Sequence, residues 1–179
     1  MRSSAEPAER NQIVSFIVPA NGAFPNNERL PVLLYRAAFA AADNDLAGEM
    51  ERRFRENGWS GGWRDGIYPF AHYHSTTHEV LGIAAGDVTV QLGGPDSRET
   101  ALRAGDVVVL PAGVAHRNLG ASDDLLVIGA YPGGRHGDMN RGAPGERPET
   151  DQQIAHVPLP AADPVFGENG PLLRQWHDP

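Results

Sequence analysis

The fold of this chain is decided by the stretch Gly66-Ile-Tyr-Pro-Phe-Ala-His-Tyr-His-Ser-Thr-Thr-His-Glu-Val-Leu-Gly-Ile-Ala-Ala-Gly86. Alternate side chains of an extended strand share a face, so His72 and His74 point the same way, with Tyr68 and Phe70 before them. Two imidazoles then converge on one point. After a short turn Glu79 opens a second apolar run, ending at Ala85, that Gly86-Asp87 closes as a hairpin turn would. A carboxylate thus arrives beside the imidazoles.

Further along, Gly105-Asp-Val-Val-Val-Leu-Pro111-Ala-Gly113-Val-Ala-His116 has the pattern of a buried strand, a Pro/Gly turn, and a histidine where the chain re-enters the sheet. His116 is a fourth candidate ligand. Neutral imidazole and carboxylate suit divalent first-row metals, and three histidines with one glutamate leave coordination positions open on an octahedral ion.

These residues resemble the two signature motifs of the cupin superfamily. Gly66, His72, His74, Glu79 and Gly86 match the first, a glycine, five residues, His-x-His, three or four residues, Glu, six residues and a glycine. Gly105, Pro111, Gly113 and His116 match the second. Its final asparagine is displaced, since Asn118 comes two positions after the histidine instead of four. The resemblance extends to a group of bacterial single-domain cupins, the YjlB-like proteins. It is carried by Pro25-Asn-Asn with Leu30-Pro31, by Asn57-Gly-Trp59, by Trp63-x-Asp-Gly-Ile-Tyr68, by His72 through Gly82, and by Gly129-Ala-Tyr-Pro132. It implies a mainly β fold, a double-stranded β-helix or jelly-roll barrel. It also implies a divalent transition metal (Fe, Mn, Ni or Zn) on His72, His74, Glu79 and His116, and a homodimer.

The surrounding sequence agrees with such a fold. Short strand-like runs follow one another at 67–74, 79–85, 87–93, 98–103, 106–110, 115–119 and 125–131, with Gly, Pro or Asp at most junctions, as in a β-sandwich or barrel. Upstream, Gln12 to Val18 reads as a strand buried on both faces, and Val32 to Ala42 as a short helix or an extended packing segment. Asp45 to Asn57 is the one strong helix pattern. Leu46, Met50 and Phe54 recur every four residues, Glu49 pairs with Arg53 and Glu51 with Arg55, and Asn57-Gly58 ends it. Residues 1–10 are polar, as fraying chain ends are.

The division expected is residues 1–59 as an N-terminal strand, loop and amphipathic helix, 60–132 as the barrel core, and 133–179 as an irregular C-terminal arm, together one domain. In the arm, Ile154 to Leu159 is a candidate edge strand, and Val165-Phe166 with Trp176 are candidate anchors onto the barrel or a second subunit.

Fifteen basic and 23 acidic residues give a net charge of −8, which argues against nucleic acid and anionic membrane as partners. The start lacks the apolar core of a signal peptide, so a soluble cytoplasmic protein is expected. Cysteine is absent, which removes disulfides, thiolate metal sites and cysteine nucleophiles.

The function expected is a metal-dependent enzyme acting on a small polar molecule. With Fe(II) it would be a dioxygenase; with Zn, Mn or Ni, a Lewis-acid isomerase or lyase. His78 and Tyr68 are the candidate catalytic residues, while Tyr131, Arg117 and Asn118 lie near the expected mouth. A non-catalytic binding module and a structural barrel with a vestigial site are the alternatives.

Overall fold

The computed structural model describes residues 12–177; the expectation for residues 1–10 lies outside them. The strands in chain order are β1 (Ile13–Val18), β2 (Asn27–Tyr35), β3 (Trp59–Asp65), β4 (Glu79–Ala85), β5 (Asp87–Leu92), β6 (Arg98–Arg103), β7 (Val107–Leu110), β8 (His116–Ala121) and β9 (Leu126–Pro132). The helices are α1 (Leu46–Glu56), α2 (Glu149–Ala155) and α3 (Pro171–His177). All strand pairs are antiparallel. Six strands form one sheet in the order β1-β2-β7-β4-β9-β3, and three form the other in the order β6-β5-β8. This is the two-sheet arrangement of a jelly roll.

The central strands of the larger sheet are buried on both faces, which explains the unbroken apolar run Val107-Val-Val-Leu110. Side chains alternate between two cores. Leu34, Leu81, Ile83, Val108, Leu110 and Val127 face the smaller sheet, meeting Val88, Val90 and Leu92 of β5. Leu33, Tyr35, Val80, Val107, Val109, Ile128 and Ala130 face the other way, onto α1 and the C-terminal arm.

α1 fits its expected place on the outside of the sheet. Asp45 caps it, accepting from Gly48 N–H at 3.1 Å, and Leu46, Met50 and Phe54 are buried beneath it. Glu49 pairs with Arg53 at 3.2 Å, but Glu51 turns to Arg64 of β3 at 2.7 Å instead of Arg55. An arginine on the neighbouring strand outcompetes the one on the next turn.

Three other expectations are corrected. Residues 67–74 form no regular strand. They run beside 113–118 through scattered bonds, Asn118 N–H to Tyr68 O, His116 and His72 to each other, and Gly113 N–H to His74 O. β1 is buried on one side only, since it is the sheet edge and leaves Ile13 and Ile17 exposed. Ile154 to Leu159 adds no edge strand, because Ile154 belongs to α2. Val32 lies in β2, the extended alternative for that segment. No described helix is long and apolar enough to cross a membrane.

The arm anchors on its own barrel. Trp176 is wholly buried and donates its Nε1–H to Pro31 O at 3.0 Å. Asp163, also wholly buried, accepts from the Tyr35 hydroxyl at 2.5 Å and from the backbone N–H groups of Val165, Phe166 and Leu172. Burial, then the charge of Asp163, pushes the Tyr35 phenol far up, so it stays a donor.

Candidate metal centre

Three buried histidines, His72, His74 and His116, bring one ring nitrogen each within 4.8 Å of one another. His72 and His116 sit opposite each other as an antiparallel bridge, with ring centroids 4.1 Å apart. His74 follows two positions on, so it faces the same way, while Tyr73 between them turns out to contact Glu146 and Thr150. Glu79 opens β4 on the inward row it shares with Leu81 and Ile83, and its Oε2 lies 3.2 Å from His74 Nε2 and 3.3 Å from His116 Nε2. The structure therefore gathers all four residues of the motif pattern.

The second nitrogen of each ring fixes what the first can do. His72 Nδ1 faces Phe70 O at 3.1 Å, His116 Nδ1 faces Val114 O at 3.1 Å, and His74 Nδ1 faces Asp138 O at 2.6 Å. A carbonyl only accepts, so each Nδ1 carries a proton, and each Nε2 is the ring nitrogen left to bind a metal. Glu79 Oε2 is wholly enclosed against two of these nitrogens.

The electrostatics agree. Burial, with His116 alongside, pushes His72 down to about 3, so it stays neutral. Burial disfavours charge on Glu79, yet the His116 and His74 contacts hold its carboxyl well below the usual range. Burial also depresses His74, and the Glu79 carboxylate more than offsets this, leaving it raised. Three imidazoles gathered beside one buried carboxylate form a donor set that fits a divalent cation, which would displace any proton held on the inward ring nitrogens.

The centre lies in the wall of a cavity of about 480 Å³, open at one end. Trp63, Ile67, Tyr68, Leu81 and Tyr131 supply much of the remaining wall, and Asp65, His136 and Met139 also line it. Tyr68 is half exposed and stacks on Phe70 at 4.8 Å, which places it at the mouth. Tyr131 is buried, and burial followed by the Glu79 charge pushes its phenol up to about 12. Arg117 and Asn118 do not line the cavity, since Asn118 turns back to Gly120 N–H.

His78 is withdrawn as a candidate catalytic residue. It is buried away from the cavity, where its Nδ1 accepts from Ala112 N–H at 2.9 Å and its Nε2 donates to Pro158 O at 3.2 Å. Burial pushes it down to about 4. Between that value and the ordinary 6.5, the unfolded chain binds a proton that the folded chain refuses. Stability is therefore full above pH 6.5 and falls as pH drops toward 4, by about 3 kcal/mol. Urea unfolding at pH 7 and pH 4.5 should show this loss in the wild type and a shallower one in His78→Asn.

The arm contributes what sequence patterns missed. Asp138 holds His74 through its backbone carbonyl, and its carboxylate accepts from Ser75 N–H at 2.7 Å, from the Ser75 hydroxyl, and from Thr76 and Asn140. Partners of this kind orient metal-binding rings. Beside it, a Cβ on Gly137 would stand 2.6 Å from the His74 ring. Gly137→Ala should weaken binding of a divalent ion about tenfold by tilting that ring, with little change in thermal stability of the metal-free protein. Calorimetric zinc titration checks it.

The fold and the site together define a cupin, and the chain belongs to the cupin family. The cupin domain model matches residues 61–128. The chain is 41% identical over 162 residues to the uncharacterized protein YjlB of Bacillus subtilis (strain 168), covering 90% of this chain and 95% of that one. Among solved structures it resembles a cupin-like protein from Thermotoga maritima MSB8, with 20% identity, 62% and 75% of the two chains covered, and a TM-score of 0.37. It also resembles acireductone dioxygenase from Bacillus anthracis, with 19% identity, 48% and 57% coverage, and a TM-score of 0.34. Overlaps this partial carry no functional argument.

Proposed function

We propose that the chain is a metal-dependent enzyme that binds one Fe, Mn, Ni or Zn ion through His72, His74, His116 and Glu79 and acts on a small molecule held in the adjoining cavity. One observation carries this reading. The Nε2 atoms of His74 and His116 lie 3.2 and 3.3 Å from the buried Glu79 Oε2, and the His72 ring, its Nδ1 likewise held by a carbonyl, lies 4.1 Å from that of His116. A donor set of that charge is costly to bury unless a cation completes it.

Bound there, a divalent ion would supply Lewis acidity or, as Fe(II), neighbouring positions for dioxygen and substrate. The chain's own part is to keep the donors aligned, to exclude water with the walls around Ile67 and Leu81, and to offer the Tyr68 hydroxyl at the mouth for proton movement. The reaction is accordingly a dioxygenation, or an isomerisation or elimination. A homodimer is part of the proposal, and the exposed Ile13 and Ile17 on the edge strand β1 offer an apolar face for it.

Elemental analysis of protein purified without added metal should find about one transition ion per chain; less than roughly a tenth would favour a vestigial site. Oxygen uptake by Fe(II)-loaded protein with diols, thiols and keto acids then separates dioxygenase from Lewis-acid chemistry, since only the former consumes oxygen.

A further inference from the structure

Resting on the metal-centre reading, the geometry points to Tyr131, oriented by Trp63, as the hydrogen-bond donor that binds an acceptor oxygen on a part-apolar substrate carrying no charge beyond its metal-binding group.

The orientation comes from β3 and β9. Trp63 pairs with Gly129, and its ring lies over that glycine, where a Cβ would stand 2.1 Å from the indole. From this position Trp63 Nε1–H donates to the Tyr131 hydroxyl at 2.9 Å. Indole nitrogen only donates, so the phenol accepts there and its own proton must point elsewhere. Tyr131 lies on the inward face of β9, lining the cavity two positions beyond Gly129. Its proton is thus a donor at the wall beside the centre, where the Glu79 carboxylate is the acceptor that a substrate oxygen would replace once a cation occupies that carboxylate.

The charge balance of the wall selects against an anionic substrate body. The chain contains no lysine, and no arginine among the described residues lines the cavity. Outside the four proposed ligands the ionisable wall groups are Asp65, His136, Tyr68 and Tyr131, against Trp63, Ile67, Pro69, Leu81 and Met139. A carboxylate there would lose hydration with no fixed cation to replace it. This narrows the small polar molecule expected from sequence to one with an apolar body and an acceptor oxygen.

Calorimetry of zinc-loaded full-length protein with catechol tests the inference, after zinc binding has been measured for each variant. Tyr131→Phe should weaken catechol binding about tenfold and leave zinc affinity within twofold. Trp63→Phe should weaken it about threefold and add nothing in the Tyr131→Phe background, because phenylalanine keeps an aromatic wall and removes only the N–H that orients that hydroxyl. The same diol with an added carboxylate, 3,4-dihydroxybenzoate, should bind at least threefold more weakly than catechol. Failure of the wild type to bind zinc would overturn the metal reading and this inference together. With zinc bound, unchanged catechol affinity in Tyr131→Phe, additive losses in the double variant, or equal binding of the carboxylate would overturn the inference alone. So would a loss of zinc affinity in Tyr131→Phe, which would make the tyrosine a support for Glu79.

Discussion

Glu79→Gln is expected to lower affinity for zinc at least a hundredfold while leaving the metal-free protein folded, with only a modest loss of stability. The two effects have different origins. Residues that only orient a ligand typically contribute ten- to a hundredfold to affinity, so the sole anionic donor among His72, His74, His116 and Glu79 should contribute more. In the metal-free protein the His116 and His74 contacts hold the same buried carboxylate ionised, so the neutral amide gives up part of that stabilisation without unfolding the chain. Adding zinc at about a hundred times its dissociation constant should stabilise the wild type by about 2.7 kcal/mol and the variant by almost nothing. Thermal unfolding with and without zinc reads both effects. A variant that loses stability without metal, yet keeps the zinc-dependent shift, would show Glu79 to be a structural residue. His72→Ala should lose zinc to a similar degree, since His72 is already held neutral and contributes a lone pair with no counter-charge.

Trp176→Ala should cost about 3–5 kcal/mol of stability, and its effect should fall on the fold and not on the metal. The ring is wholly buried in the outer core with Leu172 and Val165, and its loss leaves both a cavity and the Pro31 carbonyl unpaired. It also packs on His78, with ring centroids 4.7 Å apart, and His78 in turn holds Ala112 in the Pro111-Ala-Gly113 turn. The C-terminal arm therefore braces the turn that delivers His116, from the side of the sheet away from the cavity. Denaturant unfolding should show the full loss, while zinc affinity of the folded variant stays within a few fold. A hundredfold loss of zinc affinity would mean that the arm shapes the centre directly.

The ligand constellation was legible because it depends on local spacing. His72 and His74 share a face whenever residues between them are extended, and a bridge to His116 is enough extension even though 67–74 forms no regular strand. β4 to β9 were legible from alternation and turn residues, and α1 from its four-residue stripe. β3 was not, because Gly61-Gly62 interrupts its pattern; Gly61 takes a left-handed φ of +66° at the register shift between Ser60 and Trp63. The strand that carries Trp63 into the cavity was therefore hidden, although two tryptophans four residues apart hinted at buried structure there. His78 misled because proximity to Glu79 in sequence suggests proximity in function, whereas side chains on successive residues point to opposite faces. Asp138 could not be found at all, since its partners Ser75 and Thr76 are 63 and 62 residues away and nothing about its own neighbours marks it. α2 and α3 have too few turns for a periodic pattern to stand out from the loops around them.

The central claim is that three imidazoles and one carboxylate meet at a single cation. X-ray absorption spectroscopy of the protein loaded with one equivalent of zinc tests it most directly. Scattering from three imidazole rings bound at about 2.0–2.1 Å, with the rest of the shell oxygen, is the result expected. A shell of oxygen alone, or one with fewer than three imidazoles, would contradict the account.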